Sequence, residues 1–153
     1  MFINSLLLAS IISLVLLLFY YLYFFLKLNT FKKNAIKFNE PISIIVCAKN
    51  EFLNLKNKLP FVLNQDYPNF EVVVVNDQSN DETANLLKEF EKQYHNLVVV
   101  TIEEHINNHN GKKLALTLGI KSAKHEHLLL TDADCVPKSS NWATKMCSNF
   151  NSV

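Results

Sequence analysis

Residues 71–77 read EVVVVND, four valines in succession closed by an amide and an acid. Consecutive β-branched side chains favour an extended backbone, and apolar residues on both sides of a strand imply that both faces are covered. That pattern belongs to parallel sheets. Three more runs repeat it, ISIIVCA at 42–48, LVVVTIE at 97–103 and HLLLTDA at 127–133. The segments between them carry helical spacing. NEFLNLKNKLPFVLNQ (50–65) sets Leu53, Leu55, Leu59 and Leu63 toward one side, and Pro60 is predicted to bend or end that helix. SNDETANLLKEFEKQY (79–94) opens with Ser79 and Glu82 in capping-box spacing, then places Leu86, Leu87 and Phe90 on one stripe. Strand and helix in alternation predict an α/β fold, a mostly parallel sheet with flanking helices and right-handed crossovers.

The amino-terminal segment is of another kind. Met1 to Leu26 contains no charged side chain and is rich in Leu, Ile, Phe and Tyr. As a helix it would extend ~39 Å, enough to cross a hydrocarbon core of ~30 Å with some tilt. No positive residue precedes it and no small-x-small cleavage site follows, so an uncleaved transmembrane anchor fits better than a signal peptide. Lys27, Lys32, Lys33 and Lys37 crowd its carboxyl flank. Positive residues stay inside, which predicts a single-pass protein of the inner plasma membrane whose remaining chain faces the cytoplasm. The expected organisation is a transmembrane helix at 1–27, a polar linker at 28–40 and one domain at 41–153.

The net charge of +1, with lysine supplying every basic side chain, gives no basic surface for nucleic acid. Cys47, Cys135 and Cys147 are odd in number and lack C-x-x-C spacing, so free thiols are expected, not disulfides or a zinc knuckle. The close pairs His105/His109 and His125/His127 have no matching ligands and read as surface residues.

Function is sought where such sheets bind ligands, outside the carboxyl ends of the strands. Those ends read CAKNE, VNDQSND and TDADC. A dinucleotide fold or a P-loop needs glycines beside the phosphates, and the two glycines here, Gly111 and Gly119, lie far from the first strand. Carboxylates suit instead a ligand whose phosphates arrive with Mg²⁺ or Mn²⁺. Asp132 and Asp134, two residues apart on an extended chain, point to the same side and are candidate metal ligands. With no arginine in the chain, the phosphate charge falls to metal and lysine, and Lys112 and Lys113 in GKKLALTLG are the obvious donors.

PISIIVCAKNE, QDYPNFEVVVVNDQSNDET, GKKLALTLG and LLLTDADCVP, in this order and at these separations, resemble the nucleotide-binding half of a family 2 glycosyltransferase of the Rossmann-like GT-A fold. The resemblance covers nearly all of 41–150 and implies an enzyme. Such an enzyme moves a sugar from a nucleotide-diphosphate donor, usually UDP-linked, to an acceptor hydroxyl with inversion. It further implies that Ala48 and Glu51 lie against the nucleoside, that Asp77 hydrogen-bonds the uracil edge and that Lys112 sits near the nucleotide. By the same resemblance Asp134 ligates the metal, and Asp132 contacts the ribose or the metal's shell. The implied partners are a nucleotide-sugar donor and the lipid bilayer.

Two departures from the family pattern stand out. Asn76-Asp77-Gln78-Ser79 replaces D-D-G-S, and Thr117 stands where asparagine is common. The family's acceptor half, with its general-base acid and any Q-x-x-R-W segment, would lie beyond Val153, which makes this chain read as a truncated enzyme. The helix in WATKMCSNF is accordingly expected to lack packing partners. The alternative is a non-catalytic, membrane-anchored nucleotide-binding module. A phosphoacceptor receiver domain also gathers acids at strand ends but needs an acidic pair after its first strand, and CAKN has none.

Overall fold

The valine run forms the second strand of a four-stranded sheet in the computed structural model, which describes residues 2–29, 38–103, 111–148 and 150. The elements are β1 (Ile42–Ala48), α2 (Phe52–Leu63), β2 (Phe70–Asp77), α3 (Thr83–Gln93), β3 (Leu97–Ile102), α4 (Gly111–Ser122), β4 (His127–Asp132) and α5 (Trp142–Cys147), preceded by α1 (Phe2–Asn29). All three strand pairings are parallel and the order is β3-β2-β1-β4. The chain winds outward from β1 through β2 to β3, then returns to the other side of β1. The reversal leaves a crevice at the carboxyl ends of β1 and β4.

One face of the sheet carries the main core. Ile44, Val46, Val72 and Val74 meet Leu55, Leu59, Val62 and Leu63 of α2 and Leu86 and Leu87 of α3. Leu53 is not among them and is 69% exposed. At 100° per residue it lies about 200° from Leu55, on the solvent side. Pro60 neither ends nor interrupts α2, which runs on to Leu63 and closes with Asn64 N–H donating to the Pro60 carbonyl at 3.0 Å. The expected capping box is not formed either. Glu82 occupies the cap position of α3 without a capping side-chain bond, its carboxylate accepting from Asn85 Nδ2 at 2.8 Å, and Asp81 Oδ1 accepts from Thr83 N–H at 3.0 Å.

α5 is well packed, contrary to expectation. Ala143 and Cys147 are fully buried, and Gln65 accepts from Ala143 N–H at 3.0 Å while donating to the Phe61 and Ser139 carbonyls. Trp142 packs against the same core. His125 and His127 are half-buried, and His127 stacks on Phe150 with ring centroids 5.6 Å apart. His105 and His109 fall outside the described residues.

The other face is covered by α4, whose Ala115, Leu114 and Leu118 join Val73, Val75 and Ile102. α4 approaches closely because Gly119 has no side chain; a Cβ there would lie 2.7 Å from Ile45 Cγ2. At the amino ends of the strands this face holds a buried carboxylate. Glu71 Oε1 accepts from Ser43 Oγ at 2.7 Å and from Lys124 N–H at 2.6 Å, and Lys124 Nζ stands 3.9 Å from Oε2. These bonds fix where the chain leaves α4 and enters β4.

α1 is a separate unit. Asn4–Lys27 is long and apolar enough to cross a membrane, and its side chains are exposed. Its polar groups are handled locally, since Ser10 Oγ donates to the Leu7 carbonyl at 2.8 Å and the Lys27 ammonium lies 5.5 Å from the Tyr23 ring centre. Lys32, Lys33 and Lys37 lie outside the described residues.

Candidate active site

Parallel register brings the strand ends level. Cys47 pairs with Val75 on one side and Asp132 on the other, and Ala48 pairs with Asn76. Above them opens a cleft of about 390 Å³, lined by the end of β1 (Cys47, Ala48, Lys49, Glu51), Asp77, the start of α4 (Gly111, Lys112, Ala115) and the end of β4 (Asp132, Ala133, Asp134). Ala48, Glu51, Asp77, Lys112, Asp132 and Asp134, the six residues singled out in the sequence, therefore share one cavity. Lys113 is not part of its lining.

The walls are held by bonds between two loops that are about thirty residues apart in sequence. Asn50 N–H donates to Ser79 Oγ at 2.9 Å, and Asn80 N–H returns a bond to Asn50 Oδ1 at 2.8 Å. Glu51 N–H donates to Thr83 Oγ1 at 3.2 Å, and Phe52 N–H to Asp81 Oδ2 at 3.2 Å. Asn50 and Gln78 take left-handed backbone conformations, φ 56° and 54°. Gln78 stands where the family pattern has glycine, so the turn keeps its shape at the steric expense of a Cβ. Asn76, in place of the pattern's first acid, accepts from Ser79 N–H at 3.3 Å and closes the turn as a carboxylate would. Thr117 bonds back to the Lys113 carbonyl at 2.8 Å on the exposed side of α4, away from the cleft.

Slight desolvation of the exposed Asp81 works against its ionisation, but hydrogen bonds from Thr83 and Phe52 outweigh that and leave its carboxyl below the usual range. Glu51 Oε2 accepts from Asn54 Nδ2 at 2.6 Å, which fixes the carboxylate at the mouth of the cleft. Asp77 is buried in the cleft floor, 8% exposed.

The turn after β4 presents the paired acids. Cys135 N–H donates to the Asp132 carbonyl at 3.1 Å, and Lys58 Nζ holds the Asp134 carbonyl at 2.8 Å. Asp132, Asp134 and Cys135 offer ligand atoms within 4.8 Å of one another. Two carboxylates are the hard donors that Mg²⁺ or Mn²⁺ prefers, so the donor set fits such an ion, with the thiol a softer neighbour. Lys112 Nζ lies 2.8 Å from Asp132 Oδ1, and that hydrogen bond raises the lysine's pKa above its ordinary value.

Sequence reasoning missed Cys47, whose thiol is half-buried on the cleft floor and pushed up by burial, with Lys112 opposing the shift. Its position directly before Ala48 was the available signal. The three cysteines are free, as their number suggested.

A parallel sheet with acids and a lysine gathered at its topological switch point is an α/β domain of the GT-A kind. Residues 43–152 match the model of glycosyl transferase family 2, and the chain belongs to that family. The poly-β-1,6-N-acetyl-D-glucosamine synthase of Staphylococcus epidermidis is 34% identical over 119 residues, 74% of this chain and 28% of that protein. Among solved structures, TarS of S. aureus with UDP-GlcNAc superposes with a TM-score of 0.61 at 27% identity, over 71% of this chain and 30% of that one. The mannosyltransferase PcManGT from Pyrobaculum calidifontis, bound to GDP-Man and Mn²⁺, gives 0.64 at 27% identity, over 72% and 32%. The chain thus spans roughly a third or less of these relatives.

Proposed function

We propose that the domain at 41–153 is the donor-binding half of a glycosyltransferase that takes a UDP-linked sugar, with a divalent cation, and passes the sugar to an acceptor hydroxyl with inversion. The observation that carries this reading is the convergence of Ala48, Glu51, Asp77, Lys112, Asp132 and Asp134 on one cleft at the switch point. In this reading Ala48 and Glu51 border the nucleoside, and buried Asp77 accepts from a base N–H, a bond strengthened by its removal from water. Lys112 neutralises phosphate oxygens, while Asp132 and Asp134 hold the cation. A cation held there supplies electrostatic stabilisation of the charge that develops on the leaving diphosphate. The apolar helix at 1–27 anchors the chain in the membrane, the segment at 28–40 links it to the domain, and the lysine-rich flank of the helix keeps the domain on the cytoplasmic side.

The relatives lend support in what they bind, UDP-GlcNAc in one and GDP-Man with Mn²⁺ in another. The test is titration of the full chain in detergent with UDP, with and without Mn²⁺. Metal-dependent saturation is expected, and Asp134→Asn should lower UDP affinity at least tenfold while leaving far-UV circular dichroism unchanged, in line with ~1.5–3 kcal/mol for an interaction with a charged group. Binding indifferent to Mn²⁺, or unaffected by the substitution, would remove Asp134 from the site.

A further inference from the structure

The pair between Lys112 and Asp132 poses a question about loading. Both groups are assigned to the donor complex, one to phosphate and the other to the cation, yet in the free domain they are bonded to each other at 2.8 Å. The carboxylate that would receive a cation is already partly neutralised by a lysine. That lysine sits on the first turn of α4, where only its long flexible stem has to move. The side chains are 74% and 58% exposed, so the pair opens at small cost.

The surrounding charge makes the pairing consequential. Two lysines, Lys49 and Lys112, face four carboxyls in the cleft, Glu51, Asp77, Asp132 and Asp134. A nucleoside diphosphate alone meets net negative charge. A divalent cation alone meets an ammonium already seated on one of its two acids. When both arrive together, the phosphates attract Lys112 and Asp132 is released to the cation, so each of the two exchanged groups keeps a partner of opposite charge.

Resting on the donor-site reading, we propose that Lys112 is a placeholder cation that holds Asp132 in the empty cleft and transfers to the diphosphate as the metal enters, so that cation and nucleotide load as a unit. No bond is made or broken beyond the exchange of ionic contacts. Linkage then requires UDP to raise Mn²⁺ affinity by the same factor by which Mn²⁺ raises UDP affinity.

The experiment compares the full chain in detergent with Lys112→Met and with Lys121→Met, an exposed lysine on the last turn of the same helix. Free Mn²⁺ is followed by electron paramagnetic resonance, first with metal alone and then with UDP. Removing Lys112 is expected to raise affinity for Mn²⁺ alone about two- to fivefold, the range of an exposed ion pair, and to lower affinity for UDP in the presence of Mn²⁺ about tenfold. Opposite movement of the two affinities is a result that simple damage to the site does not produce. Lys121→Met should change neither. Mn²⁺ affinity that is unchanged or lower in Lys112→Met overturns the exchange, as does an equal rise in Lys121→Met, which would mean general charge and no specific pair. Failure of the wild-type chain to bind UDP at any Mn²⁺ level would overturn the donor-site reading instead, and the metal-alone measurement keeps the two failures apart.

Discussion

The two faces of the sheet are built to different standards. The face under α2, α3 and α5 is deep and dry, a continuous cluster from Phe38 to Cys147 whose central residues, such as Ile44 and Leu87, are inaccessible to solvent. The face under α4 is thin. Its buried cluster is Val73, Val75, Ile102 and Ala115, and Leu130, paired with Ile45 in the ladder, is 53% exposed. The candidate site opens at the strand ends on the thin side, where Cys47, Asp132 and the first turn of α4 meet, and is backed by Ala48 and Ala133 of the deep cluster. The difference separates two tasks. Apolar area on one face holds the sheet together, and the other face is left with polar strand ends, small helix residues and room for a ligand.

The sharpest way to break this comparison is to cut equivalent methylenes from each face. Ile44→Ala, on the deep face, should cost about 2–5 kcal/mol, because the cavity it leaves is closed on all sides. Leu130→Ala should cost less than about 1 kcal/mol, since much of that side chain is already in water. Urea unfolding of the two variants reads both values, and comparable losses would mean that the thin face is load-sharing after all.

Gly119→Ala probes how closely α4 must approach. The new methyl would meet Ile45 Cγ2 at 2.7 Å and Val75 Cγ2 at 3.0 Å, and both neighbours are β-branched side chains with little rotamer freedom in the sheet. Alanine's better helix propensity returns up to about 1 kcal/mol. Overpacking of about 1–3 kcal/mol outweighs it. The expected net loss is about 1–2 kcal/mol, accompanied by a several-fold drop in UDP affinity, because displacing α4 moves Lys112 two turns away. A loss of stability with unaltered UDP binding would uncouple the packing of α4 from the site.

Much of this was legible in advance, for physical reasons. Parallel strands buried on both sides must be continuous runs of Val, Ile and Leu, so β1 to β4 were visible within a residue or so at each end. Parallel winding also brings carboxyl ends together, so the acids at the strand ends could be expected in one place, while the roles of Ala48, Glu51, Asp77 and Lys112 came from the resemblance to family 2 glycosyltransferases. The misreadings involve contacts that local spacing cannot encode. Ser79 and Glu82 match a capping box, yet Ser79 is engaged by Asn50 across the loop pair. Glu71, the polar first letter of the decisive run, gave no sign that it would be buried and bonded to Lys124 in the turn after α4. Pro60 could stay inside α2 because a proline removes a single helix bond while the apolar stripe on both sides of it remains anchored in the deep core. The Lys112–Asp132 pair depends on where α4 starts relative to β4, which no linear pattern states.

The smallest expected effect concerns how the deep face handles a polar group. Tyr67 is 6% exposed and its hydroxyl donates to the Glu40 carbonyl at 2.6 Å. Burial, followed by the Cys147 thiol beside it, pushes the phenol from 10.0 up to about 12. Below pH 10 the phenol is protonated in both folded and unfolded chains and adds no pH dependence. Between pH 10 and about 12 the unfolded chain gives up its proton while the folded chain retains it, so the unfolded state binds fewer protons and stability falls as pH rises. Tyr67→Phe should cost about 1 kcal/mol at neutral pH for the lost bond and should flatten the decline above pH 10. Paired urea denaturation of wild type and variant from pH 8 to pH 11 measures both, and parallel curves would place the phenol in contact with water and the deep face in need of a polar opening.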